Sequence, residues 1–157
     1  MAITITQERP DSADGLALIT ELDAVLNRHY PPESRHGFRV EQLITQGVAF
    51  FIVRVDQQAA GCGGILLVPD PTNDHPYGEL KRMYTRPAFR GQGIGRMLID
   101  TLCRHAREQQ ITRIRLETGI HQHEALRLYE GVGFRRIPPF GPYTNDPLSL
   151  CYEKLLD

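Results

Sequence analysis

Arg90-Gly91-Gln92-Gly93-Ile94-Gly95 is the most informative segment of the chain, and it lies between a predicted strand and a predicted helix. Its alternating glycines permit positive φ angles and remove side chains, so several backbone N–H groups can point into one concavity. The helix that follows adds four unpaired N–H groups and a partial positive charge. We therefore predict a phosphate or pyrophosphate site here, with charge-assisted contacts from Arg90 and Arg96.

Two common phosphate-binding motifs do not fit this segment. A Walker-type loop requires Lys-Ser/Thr after its last glycine, and no such pair follows Gly95. A dinucleotide fingerprint requires Gly-x-Gly-x-x-Gly, but the position of the third glycine holds Arg96 or Leu98. The alternative without a binding role is an ordinary left-handed turn before a helix. The three alternating glycines disfavour this alternative.

Patterns on both sides of this segment predict strands and helices. Period-two alternation and short apolar runs predict strands at residues 2–8, 48–55, 61–68, 77–85, 111–118, 134–137 and 148–154. Apolar residues at helical spacing predict helices from residue 11 or 12 to about 28, at 39–46, from the glycine segment to about 109, and at 122–132. The predicted buried face of the first helix holds Leu16, Ile19, Leu22 and Leu26. Residues 69–76 are a predicted loop, and the whole pattern indicates an α/β protein with a mixed sheet.

Length and composition narrow the class of protein further. The 157 residues predict a single domain, residues 1–157. Eighteen Lys and Arg against nineteen Asp and Glu give a net charge of −1, which argues against nucleic-acid or anionic-membrane partners. Three widely spaced cysteines and no visible export signal predict reduced thiols and a cytoplasmic location. The cysteines do not predict a zinc site.

Three motifs carry a resemblance to a known family. Arg90, Gly93 and Gly95 fit the pattern (Gln/Arg)-x-x-Gly-x-(Gly/Ala), and here the chain resembles the GNAT superfamily of acyl-CoA-dependent N-acetyltransferases. Residues 79–87 resemble the family's fourth strand, and residues 124–134 resemble its Ala-x-x-x-Tyr-(x)4-Phe helix. The matched motifs run from about residue 47 to 137. The resemblance implies a mixed, mostly antiparallel sheet of six to seven strands flanked by helices, with a V-shaped splay between strands four and five.

The resemblance also implies a reaction. An acetyl group would pass from acetyl-CoA to a primary amine of a small molecule or protein by direct attack in a ternary complex. No cysteine in the matched motifs occupies a nucleophile position, so a covalent acyl-enzyme is not expected. The alternative is an acyl-CoA-binding sensor or interaction module without turnover. Family members often dimerise through late strands, so a homodimer is a further expectation.

The acetyl-CoA site implied by the resemblance includes a loop, a strand edge and a helix. Its residues are Met83, Tyr84, Thr85, Arg90, Gly91, Gln92, Gly93, Ile94, Gly95, Arg96, Gln122 and Tyr129. The edge at residues 83–85 would pair with pantetheine amides, and a backbone N–H near Met83 or Tyr84 would polarise the thioester carbonyl. Gln122 stands where the family usually has Asn, and the neighbouring His121 and His123 fit solvated side chains better than metal ligands.

Two side chains are candidates for catalysis. Tyr129 occupies the family's tyrosine position and would donate a proton to the departing thiolate, although its place on an apolar stripe equally fits core packing. Glu79 is the candidate base, because it precedes Arg90 by eleven positions, as does the glutamate base of histone-type members. The alternative is a solvated strand glutamate paired with Lys81 or Arg82. Period-two geometry places Glu79, Lys81, Met83 and Thr85 on one face of the strand.

Glu117 and several other residues are candidates for the acceptor side. Glu117 is an alternative base or an anchor for the substrate ammonium group, unless it simply pairs across the sheet with a basic side chain. Further candidates near the acceptor are Tyr30, Arg35, His36, Phe140 and Tyr143, the last two in a loop that could cover the cleft. Arg35 or Arg86 could bind an acceptor carboxylate, and each of these side chains could instead serve packing.

Overall fold

A mixed β-sheet forms the centre of the computed structural model, which describes residues 1–69 and 75–157. Within those ranges the sheet has seven strands: β1 (Ile3–Gln7), β2 (Ala49–Val55), β3 (Gln58–Val68), β4 (Tyr77–Thr85), β5 (Arg113–Gly119), β6 (Arg135–Ile137) and β7 (Ser149–Leu155). The strand order is β1-β2-β3-β4-β5-β7-β6, and the β4–β5 pair is parallel while the other neighbours are antiparallel. The prediction of a mixed, mostly antiparallel sheet is confirmed. Residues 70–74 of the predicted loop 69–76 lie outside the described ranges.

Four α-helices flank the sheet in the described part of the chain: α1 (Ala13–His29), α2 (Val40–Thr45), α3 (Ile94–Glu108) and α4 (His123–Gly131). The Ser12 side chain accepts a hydrogen bond from the Gly15 N–H and caps α1, as predicted. The predicted buried face of α1 is wrong at Leu16, which is 45% exposed, whereas Leu18 is fully buried. Positions two apart on a helix differ by about 200°, so they cannot both face the sheet.

Apolar side chains fill both sides of the sheet. One core cluster includes Leu98, Leu102 and Ala106 of α3, on the face that the sequence predicts. A second cluster includes Leu18 and Ile19 of α1 together with residues of β2. The cysteines of the described residues are buried and unpaired. Among the same residues, no helix has the length and hydropathy of a membrane span.

The sheet opens between its two central strands. β4 and β5 pair only at Gly78–Ile114 and Glu79–Arg115. On its other side β4 continues to pair with β3 as far as Thr85, so the second half of β4 has a free edge. This edge forms one wall of a cleft, which confirms the splay expected from the resemblance.

β4 contains an irregularity that the sequence pattern does not predict. Arg82 has a φ of +57°, and the register with β3 shifts between Cys62 and Gly64. The extra residue rotates the rest of the strand, so Met83 packs against the α3 side and Tyr84 against the α1 side. The prediction that Glu79, Lys81, Met83 and Thr85 share one face is therefore wrong beyond Lys81.

Candidate active site

The glycine segment forms a turn that presents unpaired backbone donors. Gly91 and Gly93 have φ angles of +79° and +80°, and Gly93 is the left-handed N-cap residue of α3. Within the described residues, none of the backbone N–H groups from Gly91 to Arg96 donates to a backbone carbonyl. Gly95 has a different function, because a Cβ there would lie 2.6 Å from Leu128 of α4. The turn thus offers a concave set of N–H groups at a helix N-terminus.

A large cavity of about 570 Å³ lies against these donors and the free edge of β4. Its lining includes most of the residues expected to hold acetyl-CoA: Met83, Tyr84, Thr85, Arg90, Gly91, Gly93, Ile94, Gly95, Arg96, Gln122 and Tyr129. Gln92 is exposed and does not line this cavity. Nε of Arg90 lies 3.3 Å from Oε2 of Glu124, and both side chains are exposed enough to rearrange around an anion. We call this space the large cavity.

A smaller cavity of about 110 Å³ adjoins the large one. The residues that line both are Leu22, Met83, Gln122, Ala125 and Tyr129. The smaller cavity also contains the two candidate carboxylates, Glu79 and Glu117. It is therefore the place where an acceptor molecule could meet a ligand bound in the large cavity, and we call it the acceptor cavity.

Tyr129 lies where the two cavities meet. Its side chain is only 5% exposed, and its ring packs edge-on against Phe134 with 5.8 Å between ring centroids. Burial raises the pKa of the Tyr129 phenol, and the nearby charge of Glu117 raises it further. Tyr129 is thus both a core residue and a protonated hydroxyl next to the open space, and the two interpretations of the sequence are compatible.

Glu79 is buried and already bound by other side chains. It is 6% exposed, accepts a 2.5 Å hydrogen bond from the Tyr143 hydroxyl and lies 2.9 Å from the Lys81 ammonium group. Lys81 also donates to the Tyr143 oxygen at 2.9 Å and lies 4.1 Å from the centre of the Phe38 ring. The alternative in which Glu79 pairs with Lys81 is what the structure contains, although the pair is buried rather than solvated.

Glu117 is the second carboxylate of the acceptor cavity, and it is only partly buried. Burial raises its pKa, and the Ser149 hydroxyl, which donates to it at 2.6 Å, opposes part of that effect. The structure shows no ion pair to Glu117 among the described residues, so the alternative of cross-strand pairing with a basic side chain is not observed. Ser149 of β7 is a partner that sequence reasoning missed, because only the fold places β7 beside β5.

Tyr30 and Gln122 are joined by hydrogen bonds. The Tyr30 hydroxyl accepts from the His121 backbone N–H at 3.0 Å and donates to Oε1 of Gln122 at 3.3 Å. The ring fits there because residue 119 is glycine, where a Cβ would lie 1.9 Å from the Tyr30 oxygen. Tyr30 therefore fixes the loop that leads into α4 while lining the acceptor cavity.

Arg35, His36 and Tyr143 also line the acceptor cavity. Nε2 of His36 lies 2.6 Å from Oδ2 of Asp146, and the His36 ring packs edge-on against Tyr143 at 5.0 Å between centroids. This contact joins the segment after α1 to the loop before β7. The described residues include no cluster of His, Cys, Asp and Glu side chains able to hold a metal ion.

Two residues expected near the acceptor lie elsewhere. Phe140 packs against Tyr77 and Tyr143 at 5.7 and 5.3 Å between ring centroids, and it lines neither cavity. Arg86 donates two hydrogen bonds to Glu21, at 3.0 and 2.7 Å, and lines neither cavity. The structure therefore does not support a contact of either side chain with an acceptor.

Comparison with known proteins supports the same family. The model of the acetyltransferase (GNAT) family matches residues 18–134. A protein of Azospirillum brasilense named IAA acetyltransferase is 38% identical over 154 residues, which is 98% of each chain. A Klebsiella pneumoniae crystal structure, named for an acyl-CoA N-acyltransferase, aligns with a TM-score of 0.79 at 37% identity over 99% of this chain and 98% of that one.

A more distant structure shares the fold. The N-acetyltransferase PaiA of Thermoplasma acidophilum, solved in complex with coenzyme A, aligns with a TM-score of 0.73 at 17% identity over 99% of both chains. The present chain thus combines the splayed sheet and the glycine turn with a match to the family's sequence model over most of the chain. The protein belongs to the GNAT family and is an acetyltransferase.

Proposed function

We propose that this protein transfers an acetyl group from acetyl-CoA to a primary amine by direct attack in a ternary complex. The observation that carries the proposal is the junction of the two cavities at Tyr129, with unpaired backbone donors at one end and carboxylates at the other. The coenzyme A complex of the Thermoplasma protein supports acetyl-CoA as the donor.

The large cavity fits the three chemical parts of acetyl-CoA. The N–H groups of residues 91–96 bind the pyrophosphate, aided by the partial positive charge of the α3 N-terminus. The free edge of β4 at residues 83–85 pairs with the pantetheine amides. The backbone at the bulge, near Met83 or Tyr84, donates to the thioester oxygen as it becomes negative.

Glu117 is the better general base of the two carboxylates. An efficient base has a pKa close to the working pH, and burial raises the pKa of Glu117. It is also partly exposed to the cavity, whereas Glu79 is bound by Lys81 and Tyr143. We therefore assign proton removal to Glu117 and assign Glu79 to the polar wall of the acceptor cavity.

The proposed reaction balances as follows. An ammonium acceptor loses one proton to Glu117, and its nitrogen lone pair attacks the thioester carbon to form a C–N bond. Collapse of the tetrahedral intermediate breaks the C–S bond and releases a second proton from nitrogen. The sulfur leaves with the Tyr129 hydroxyl hydrogen-bonded to it and departs as a thiol, so one of the two protons is retained on CoA and one passes to solvent.

Two measurements test this function. Acetyl-CoA and CoA are expected to raise the melting temperature, whereas ATP and NAD have little effect. At a concentration of one hundred times Kd, a bound ligand adds about 2.7 kcal/mol to the free energy of unfolding. A panel of amines is then assayed for release of free thiol from acetyl-CoA. CoA binding without thiol release from any amine would instead support a sensor or interaction module.

Gly93→Ala is expected to weaken CoA binding by roughly tenfold. An alanine at a φ of +80° costs about 1–2 kcal/mol, and relieving that strain turns the N–H groups of residues 91–96 away from the ligand. Gly131→Ala is the matched control, because a Cβ at Gly131 meets nothing within 4 Å. Isothermal titration with CoA compares the two variants, and an unchanged Kd in Gly93→Ala would contradict pyrophosphate binding at this turn.

A further inference from the structure

Two arginines, the buried Arg82 and the half-buried Arg35, each have an inaccessible Nε atom without a hydrogen-bond partner. In the described ranges, Nε of Arg35 and Nε of Arg82 are the buried side-chain polar atoms that lack one. A buried N–H without an acceptor is costly, and such an atom in a native protein calls for an explanation such as a ligand. Both arginines line the acceptor cavity. The two arginine side chains therefore border the same space.

The Arg82 side chain is buried and is held in place by hydrogen bonds to α1. Its side chain is 3% exposed, and its Nη2 donates to Asp23 and to the Ile19 carbonyl. Its backbone has the positive φ of the bulge, a conformation that costs energy for a residue with a side chain. Gly37 gives the guanidinium room, because a Cβ there would lie 1.9 Å from Nη1 of Arg82.

Arg35 supplies a positive charge that its neighbours do not neutralise. Its Nη1 donates to the neutral side chain of Asn27. Among the described residues no carboxylate forms an ion pair with Arg35, whereas Arg82 is paired with Asp23 and Lys81 with Glu79. The arginine side of the acceptor cavity therefore offers about one uncompensated positive charge, which matches a ligand group with a single negative charge.

We propose that the acceptor is a small aminocarboxylate, such as a free amino acid, whose carboxylate binds between Arg35 and Arg82. This inference rests on the acetyl transfer proposed above. Guanidinium groups bind planar carboxylates through paired N–H donors, so two arginines that border one cavity fit this ligand. The amine of the same molecule faces Glu117, which lines the same cavity. A protein substrate acetylated at lysine or at its N-terminus would not bring a free carboxylate next to its amine.

The experiment compares matched acceptors in the thiol-release assay. Each common α-amino acid is tested beside its amide and its decarboxylated amine, and the readout is the ratio of kcat/KM for the acid to that for the amide. We expect the best amino acid to exceed its amide by about tenfold or more, because hydrogen bonds to a charged group are lost in the amide. Preference for the amide or for the decarboxylated amine overturns the inference while leaving acetyl transfer intact.

Substitution of Arg35 then tests the site itself. Arg35→Gln is expected to bring the ratio close to one, chiefly through a higher KM for the amino acid, and Arg35→Lys to restore part of it. Partial unfolding of this variant would lower kcat/KM for the acid and for the amide by the same factor, so the ratio reports on the folded site alone. If Arg35→Gln leaves the ratio unchanged, the assignment of Arg35 is overturned. Arg28→Gln is the matched control, because Arg28 is exposed and lines neither cavity. Thiol release from none of the acids, amides or amines contradicts the proposed function, and the inference with it.

Discussion

Tyr129→Phe is expected to lower kcat by roughly 100-fold or more while leaving the Kd of CoA nearly unchanged. The substitution removes one oxygen atom and keeps the ring that packs against Phe134. Its catalytic effect follows from the position of the hydroxyl at the junction of the two cavities, where the thioester sulfur is expected to leave. Loss of a positioned proton donor of this kind typically costs 10²- to 10⁴-fold in rate.

The electrostatic surroundings of Tyr129 support this role. Burial and the charge of Glu117 raise the pKa of the phenol, so the hydroxyl stays protonated at neutral pH and is always available as a donor. Its hydrogen bond strengthens as negative charge develops on sulfur, so it stabilises the transition state more than the bound substrate. A phenylalanine cannot form this bond, and the loss should appear in kcat.

Steady-state kinetics with titration of CoA separate the possible roles of Tyr129. Equal losses in kcat and in CoA affinity would mean that the residue only positions the cosubstrate, and an unchanged kcat would leave packing as its whole role. Tyr152→Phe is the matched control. Tyr152 is also buried and its hydroxyl donates to Glu130 at 2.8 Å, but it lines neither cavity. This control should lose stability without losing turnover.

The sequence predicts the glycine turn and the strands around it because both depend on local patterns. Alternating glycines before an apolar helix are visible in the residues themselves, and the helix they predict begins at Ile94. The bulge at Arg82 is different, because no glycine or proline marks it. Its consequence is large, since it turns Met83 and Tyr84 to opposite sides from those that strict alternation predicts.

Long-range ion pairs are the other part of the site that local patterns do not predict. Arg86 is occupied by Glu21, which is far away in sequence and belongs to α1. Glu79 and Lys81, in contrast, are two positions apart on one strand, so their pairing is among the predicted alternatives. What the sequence could not indicate is the depth of burial, which depends on Phe38 and Tyr143 from two distant segments.

The two carboxylates of the acceptor cavity are expected to respond differently to substitution by glutamine. Glu117→Gln should reduce kcat/KM by about 100-fold or more and remove the rise of kcat/KM with pH on the acidic side. Glu79→Gln should keep that rise. It should instead destabilise the fold by about 3–5 kcal/mol, because Lys81 is left buried without its partner.

The effect of Glu117→Gln on stability has the opposite sign. A carboxyl group whose pKa is raised on folding binds more protons in the folded state, so its contribution to the free energy of unfolding falls as pH rises from the unfolded to the folded pKa. Above that window the buried charge is a net cost, and glutamine removes the charge. Because the amide oxygen of the new side chain can still accept from the Ser149 hydroxyl, the variant should be no less stable than the wild type at neutral pH.

Thermal unfolding and pH–rate profiles of both variants decide which carboxylate is the base. Loss of the acidic limb together with full stability in Glu117→Gln would identify the Glu117 carboxylate as the group whose ionisation limits kcat/KM. If Glu79→Gln loses the limb and Glu117→Gln keeps it, the assignment is reversed, and the Lys81–Glu79–Tyr143 cluster must rearrange to free Glu79 when the acceptor binds. If both keep it, the proton passes to another group, and neither carboxylate is the general base.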